Sequence, residues 1–175
     1  SVAALGRPLL AYVGNLSSRI DLDLLEGVAR ARPQWTLALV GSAHADQSAL
    51  ALDRLPNVHL LGVLPYRQVR SLLAHVDVAL IPHVDNEMTR NMNPLKAFVY
   101  ASAGVPVVST PVANLPDFGA LITVAEGVDG FVAAIEAHLA AGRPAVDLDL
   151  LRPHSWEQRV AQVFEIVDEV LAAER

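Results

Sequence analysis

Short apolar runs alternate with longer amphipathic segments along the chain. Most of the runs are four or five residues long and lack polar alternation, which is typical of strands buried on both faces of a sheet. Between them, apolar residues recur at intervals of three and four, which predicts helices that each bury one face. The predicted strands cover residues 9–13, 36–40, 57–61, 78–81, 107–108 and 121–124.

Capping and breaking residues set the predicted helix boundaries. Asp21 can cap a helix that Pro33 ends, Pro65 can open another, and Ser155 can cap the last one. We read residues 82–92 as a polar loop. The predicted helices cover residues 21–32, 47–52, 65–75, 94–103 and 128–141, together with a C-terminal helix whose apolar stripe is Val160, Val163, Phe164, Val167 and Leu171.

The alternation of strands and helices predicts βα units joined by right-handed crossovers. We therefore expect an α/β fold, a doubly wound, Rossmann-like parallel sheet of about six strands, with the C-terminal helix packed back across it. No linker, repeat or low-complexity segment interrupts residues 1–175, which indicates a single domain.

Composition narrows the classes of function. A net charge of −6 without a basic block argues against nucleic-acid binding. No apolar run reaches the roughly 20 residues of a membrane span, and the first residues lack the plan of a signal peptide, so a cytoplasmic location is expected. The chain has no cysteine and its six histidines are scattered, so we expect neither a disulfide nor a metal site.

Ligands of doubly wound sheets bind beyond the carboxyl ends of the strands, where the strand order reverses. The loops expected there cover residues 14–20, 41–46, 62–66, 82–93 and 109–114. The first of them lacks the second and third glycines of a dinucleotide-binding fingerprint. Arg19, Arg90 and Lys96 lie in or beside these loops and could share a diphosphate. Each of them, taken alone, is also compatible with an ordinary solvated side chain.

The segment from Asn91 to Thr110 reads as a loop, a capped helix, a tight turn and a strand. We predict Asn93 as the N-cap, Pro94 as the first helical residue and Gly104 as the stop. Lys96 would then lie in the first turn, where the helix dipole disfavours a cation by about 0.3–1 kcal/mol. An anion bound at that helix start would reverse the sign. Lys96 is also the only lysine of the chain.

Several motifs follow one another along most of the chain: Tyr12-Val13-Gly14 with Arg19-Ile20-Asp21-Leu22, Leu39-Val40-Gly41, residues 56–62, residues 77–82, Pro94-Leu95-Lys96 with residues 104–109, and His154-Ser155-Trp156-Glu157. In this order and spacing they resemble the C-terminal, donor-binding half of the retaining GT-B glycosyltransferases called glycosyl transferase group 1.

The resemblance implies a nucleotide sugar as the ligand, bound without a metal or another cofactor. It places the diphosphate against Gly14, Asn15, Arg19, Asn93, Pro94, Leu95 and Lys96, and the nucleobase against Gly62, Val63 and Leu64. It also implies a partner, the N-terminal acceptor-binding domain of the same enzyme. Any peripheral association with a membrane would involve that domain only. Without that half, we expect the 175-residue chain to be inactive, and no catalytic residue is assigned.

One departure from the family concerns the ribose. The family carries two glutamates eight positions apart, the second of which binds the ribose hydroxyls. Alignment places these positions at Asn91 and Val99, and neither residue is acidic. The loss of a charged hydrogen bond weakens binding by about 1.5–3 kcal/mol. Glu87, in the same loop, is a candidate substitute, although a solvated loop acid is the simpler interpretation.

Three hypotheses result from this sequence. The leading one is the nucleotide-sugar-binding domain of a retaining glycosyltransferase that transfers a hexose to an acceptor. The second is a non-catalytic or degenerate GT-B-like binding module, motivated by Asn91 and Val99. The third is half of an epimerase that acts on nucleotide sugars.

Overall fold

The computed structural model describes residues 5–43 and 47–173. Within them, six parallel strands form one sheet in the order β3-β2-β1-β4-β5-β6. The strands are β1 (Leu9–Val13), β2 (Thr36–Val40), β3 (Val58–Gly62), β4 (Val78–Ile81), β5 (Val107–Ser109) and β6 (Ile122–Val124). The predicted doubly wound, Rossmann-like fold is therefore confirmed. The strand order reverses between β1 and β4, which identifies the switch point.

Seven α-helices and three 3-10 helices connect or follow the strands in the described part of the chain. The α-helices are α1 (Leu22–Ala31), α2 (Tyr66–Leu73), α3 (Glu87–Arg90), α4 (Lys96–Ser102), α5 (Gly127–Ala141), α6 (Leu148–Leu151) and α7 (Trp156–Ala173). The 3-10 helices cover Gln47–Arg54, Gly119–Leu121 and Arg152–His154.

Two predicted helix caps are confirmed. The Asp21 carboxylate accepts a hydrogen bond from the Leu24 amide at 2.8 Å, and the Ser155 hydroxyl accepts one from the Gln158 amide at 3.2 Å. The predicted polar loop at 82–92 is wrong in part, because α3 lies within it. Asn86 and Thr89 cap this short helix reciprocally, a local pattern without an apolar period. Residues 44–46 of the predicted loop 41–46 lie outside the described residues.

Each face of the sheet carries its own hydrophobic cluster among the described residues. Helices α1 and α5 cover one face, where Leu10, Leu39 and Leu80 belong to the cluster. Helices α2 and α4 cover the other face, where Ala11, Val40 and Ile81 belong to it. Neighbouring positions of one strand therefore alternate between the clusters, as the period of two requires.

The C-terminal helix does not pack back across the sheet, which corrects our prediction. Its apolar stripe is exposed in the described structure, with Val160, Val163, Phe164, Val167 and Leu171 all open to solvent. The physical reason is that α1, α5, α2 and α4 already cover both faces of the sheet. At its start, the Arg159 guanidinium lies 5.9 Å from the centre of the Phe98 ring on α4.

None of the helices in the described part of the chain is both long enough and apolar enough to cross a membrane.

Candidate functional site

The first loop of the candidate site lies against the loop after β2. The Gly14 amide donates to the Val40 carbonyl at 2.8 Å, and an added Cβ on Gly41 would lie 1.9 Å from the Gly14 carbonyl oxygen. Gly41 also has a φ of +142°, a conformation that side chains rarely adopt. Glycine at position 41 therefore allows the close backbone contact that positions Gly14 and Asn15.

Four side chains converge beyond the carboxyl ends of β1 and β4. The Lys96 ammonium lies 3.1 Å from Nε2 of His83 and 3.4 Å from the Tyr12 hydroxyl. It also lies 4.8 Å from the centre of the Tyr12 ring, within range of a cation–π contact. Arg19 is close enough to act electrostatically on all three groups. We call Tyr12, Arg19, His83 and Lys96 the switch-point cluster.

The switch-point cluster carries positive charge. Burial, with the charge of Arg19, lowers the pKa of Lys96 to about 8. Burial, with the charges of Lys96 and Arg19, lowers the pKa of His83 to about 4. Among the described residues, no carboxylate forms an ion pair with Lys96 or Arg19. Such a site is suited to an anionic ligand, whose negative charge would neutralise Lys96 and Arg19.

The start of α4 differs from our prediction. The helix begins at Lys96, and Leu95 occupies the cap position without a side-chain hydrogen bond, so Asn93 is not the N-cap. The reason is a local turn, in which the Asn93 carbonyl accepts a hydrogen bond from the Leu95 amide at 2.9 Å. Pro94 is buried, and its carbonyl accepts from Ala97. The amides of Leu95 and Ala97 are therefore already used by the backbone. The predicted stop at Gly104 is confirmed, because this residue has a φ of +62° after the helix end.

Helical spacing places Leu95 and Phe98 on one face of α4 and Lys96, Val99 and Tyr100 on another, so that from the sequence the first pair suits the core and the second face suits the crevice. The structure differs. Instead Leu95 is 64 % exposed and Tyr100 is fully buried. The Tyr100 hydroxyl accepts a hydrogen bond from the Val13 amide at 2.9 Å, so its burial satisfies the last amide of β1. Phe98 packs edge-on against Phe118, at 5.4 Å between ring centres.

Three further predicted site residues lie on α3 or at its end, on the surface. Arg90 is exposed and donates to both oxygens of Asp85, at 2.7 and 2.8 Å, so its charge is already paired. The expectation that Arg90 shares a diphosphate with Lys96 is not supported by this arrangement. Glu87 and Asn91 are exposed, and the Asn91 side chain donates to the Glu87 carbonyl at 2.9 Å.

The predicted nucleobase loop borders a mainly apolar cavity of about 340 Å³ at the carboxyl ends of β2 and β3. Gly62 and Val63 belong to its lining, together with Leu16, Leu50 and Leu60. Leu64 is half-buried against the cluster on the α2–α4 face. Gly62 and Val63 therefore line this cavity, whereas Leu64 does not, because its side chain packs against the cluster on the α2–α4 face.

Val99 lines a groove of about 700 Å³ between α2 and α4. Its side chain is 38 % exposed, which excludes a core position. Tyr66, Arg70 and Arg143 share this groove. The Arg143 guanidinium donates to carbonyls at the ends of both helices, among them Leu73 and Ala103, and is therefore engaged structurally.

Sequence reasoning missed Tyr12 and His83 as members of the site. Tyr12 was read as part of a buried strand, and its hydroxyl donates to the Asn15 carbonyl at 3.1 Å. His83 follows Pro82 at the end of β4. A polar residue within two positions of the end of a strand next to the switch point was the available signal.

The described residues contain no group of three or more His, Cys, Asp or Glu side chains arranged to hold a metal ion.

Comparison with known proteins gives a relative by sequence. TuaH of Bacillus subtilis (strain 168), provisionally named as a teichuronic acid biosynthesis glycosyltransferase, is 31 % identical over 110 residues. That alignment covers 62 % of this chain and 27 % of TuaH, so the chain matches about a quarter of the relative's length.

Solved structures share the fold at low sequence identity. Anabaena Alr3699/HepE, determined in complex with UDP-glucose, is 18 % identical, with a TM-score of 0.67 over 98 % of this chain and 50 % of its own. The α,α-trehalose 6-phosphate synthase of Burkholderia multivorans is 14 % identical, with a TM-score of 0.73 over 99 % of this chain and 45 % of its own.

The sequence profile of one family matches residues 7–144, which is more than half of the chain. The matched segment contains all six strands and the switch-point cluster. This chain therefore belongs to the family described as glycosyl transferases group 1.

Proposed function

We propose that this chain is the nucleotide-sugar-binding domain of a retaining glycosyltransferase that transfers a hexose from a nucleoside diphosphate sugar to an acceptor. The observation that carries the proposal is the switch-point cluster. In it, Lys96 and Arg19 lie together at the carboxyl ends of the strands, and among the described residues neither has a carboxylate partner. A diphosphate supplies the negative charge that these cations require.

The surfaces in and next to the cluster indicate where each part of the donor would bind. The diphosphate would lie against Gly14, Asn15, Arg19 and Lys96. The cavity beside Gly62 and Val63 offers apolar walls to a nucleobase. The UDP-glucose complex of the structurally similar Anabaena protein supports a donor of this class.

In the proposed reaction, cationic side chains stabilise the nucleoside diphosphate as it leaves the sugar. As the bond from the sugar to the diphosphate breaks, negative charge grows on the phosphate oxygens. Positioned cations stabilise that charge more in a partly buried site than in water. Lys96 and Arg19 would have this role, and the proposal requires no metal. The acceptor and the groups that activate it would come from an N-terminal domain of the same enzyme.

Calorimetric titration with UDP, GDP and their sugars tests the proposal. Binding in the micromolar to millimolar range is expected, and Lys96→Ala should weaken it by about 1.5–3 kcal/mol, the contribution of one charged hydrogen bond. Arg90→Ala is the matched control, because Arg90 is exposed and paired with Asp85. If none of these nucleotides binds at millimolar concentration, the proposal is refuted.

A non-catalytic module is the second candidate. Val99 and Asn91 favour it, because neither is the acidic residue that the family uses at these positions. The same titration separates the candidates, since a module with a degenerate site should bind neither the nucleotide nor its sugar.

A further inference from the structure

His83 has an environment that fixes the direction of its ring. The residue is 2 % exposed and lies two positions after the end of β4. Its amide donates to the Thr110 hydroxyl at 3.0 Å, and its carbonyl accepts from the same hydroxyl at 2.8 Å. An antiparallel bridge to Ile20 holds the backbone from the other side. These contacts fix the backbone of His83, and burial leaves little room for the imidazole to turn.

The contact with Lys96 determines the protonation of the imidazole. An ammonium can only donate hydrogen bonds, so Nε2 of His83, at 3.1 Å from the Lys96 nitrogen, must be the acceptor. The ring is then neutral and carries its hydrogen on Nδ1. That atom is buried and has no partner at full hydrogen-bond distance within residues 5–43 and 47–173. A contact with the Arg19 backbone raises the pKa of His83, but by less than burial and the charges of Lys96 and Arg19 lower it.

The charged groups around the pair agree with a neutral ring. Lys96, from α4, and Arg19, from the loop after β1, both act on His83, and both disfavour its cationic form. Tyr12, from β1, contributes a neutral hydroxyl 3.4 Å from the ammonium. No carboxylate of the described residues contributes to the pKa shift of His83 or of Lys96.

A neutral acceptor has a specific advantage at this position. A carboxylate would also accept from Lys96, but it would cancel one of the two positive charges and repel an anionic ligand. A neutral imidazole satisfies one N–H of the ammonium and leaves both charges available. The imidazole thus holds the ammonium in place without competing with an anionic ligand for its charge.

We propose that His83 is a positioning residue of the anion-binding site: its neutral imidazole accepts a hydrogen bond from Lys96 and holds the ammonium beside Tyr12 and near Arg19, where it meets a diphosphate. This inference rests on the proposed function for the identity of the anion. It assigns a role to His83, which acts through Lys96 and does not itself contact the reacting atoms.

The experiment uses the fact that Lys96 is the only lysine of the chain. Labelling lysine with ¹³C at Cε gives a single signal whose pH titration reports the ammonium directly. In His83→Leu the titration midpoint should fall by about one pH unit, because the charged form loses its acceptor. In His83→Glu it should rise by about one unit or more. His83→Gln keeps a neutral acceptor and should stay near wild type.

Binding of inorganic pyrophosphate completes the test. Both His83→Leu and His83→Glu should bind it about tenfold more weakly, the first through a displaced ammonium and the second through a cancelled charge. His83→Gln should restore most of the affinity. If His83 only filled space, the Lys96 midpoint would not fall in His83→Leu and rise in His83→Glu while both variants lost the same affinity for pyrophosphate. An unchanged midpoint and affinity in a folded His83→Leu protein would overturn the proposal.

A measurement on the wild-type protein does not depend on the folding of any variant. Nitrogen-15 spectra of the histidine rings should show His83 neutral at pH 5.5, with its hydrogen on Nδ1. A cationic ring, or a hydrogen on Nε2, would overturn the inference. Absence of both pyrophosphate and nucleotide binding to the wild-type protein would instead refute the proposed function, since these spectra and the lysine titration need no ligand.

Discussion

Replacing Lys96 by Met should weaken diphosphate binding and, at the same time, stabilise the unliganded protein. The ammonium is half-buried, and its polar neighbours are His83 and Tyr12, at 3.1 and 3.4 Å. Within the described residues it has no carboxylate partner. Methionine retains much of the aliphatic stem and adapts to the same space without the charge.

The magnitude follows from the pKa of Lys96. That pKa lies at about 8 instead of the ordinary 10.5, chiefly because of burial. At about 1.36 kcal/mol per unit, keeping the amine charged in the folded protein costs on the order of 3 kcal/mol. The lost hydrogen bond from the charged ammonium to His83, at about 1.5–3 kcal/mol, offsets much of the gain, and the longer contact with Tyr12 adds little. We therefore expect Lys96→Met to raise the free energy of unfolding by up to about 1.5 kcal/mol at pH 7.

The dependence on pH has a definite sign. Below pH 8 the amine is protonated in both the folded and the unfolded wild-type protein, so the penalty is complete. Between pH 8 and 10.5 the folded protein releases this proton first, so wild-type stability rises relative to Lys96→Met. The advantage of the variant should therefore shrink across this window. Wild-type affinity for a diphosphate should fall across the same window, because binding needs the ammonium.

Denaturant unfolding at pH 7 and pH 9.5, together with calorimetric titration of pyrophosphate and UDP, measures these effects. Lys96→Met should lose about 10- to 100-fold in affinity, as expected for one charged hydrogen bond. Arg90→Met, in which an exposed and paired cation is removed, should bind like wild type. Equal affinity of Lys96→Met and wild type, or destabilisation of this variant at pH 7, would refute the reasoning.

Three further predictions concern the surroundings of the cluster. Gly41→Ala should destabilise the protein by more than about 2 kcal/mol in chemical denaturation, because its Cβ would meet backbone at 1.9 Å; Gly62→Ala, where nothing lies within 4 Å, is the milder control. Tyr100→Phe should cost about 1–3 kcal/mol in the same assay, because the last amide of β1 loses its acceptor. Val99→Glu should leave the melting temperature of the unliganded protein within a few degrees, since the site is partly exposed. It should tighten binding of a ribonucleotide but not of its 2′,3′-dideoxy analogue, and equal gains for both would contradict a ribose at this position.

The hydrophobic pattern was sufficient to predict the architecture, because strands of a parallel sheet are buried on both faces and therefore occur as continuous apolar runs in the sequence. Strands β1, β2 and β4 have the predicted bounds, and Asp21 and Ser155 cap the predicted helices. These features depend on local period and capping chemistry, which neighbouring residues specify. The ordered motifs then led to the family, to which the chain belongs.

The sequence also identified Lys96 and Arg19 as candidates, since a sole lysine and a loop arginine near a switch point are visible in the sequence. It failed for α4, where a turn between Asn93 and Leu95 shifted the helix start by two residues. It also assigned Leu95 to the core and Tyr100 to the crevice, whereas in the structure Tyr100 is buried and Leu95 exposed.

Only the tertiary structure decided which charges are free. Arg90 and Lys96 are both cations next to the crevice in sequence, but Arg90 is paired with Asp85 while Lys96 meets His83. His83 and Lys96 are 13 positions apart, and they come together only because β4 and α4 end and begin at the same edge of the sheet. Local sequence specifies elements and caps, whereas the pairing of distant charges depends on how those elements pack.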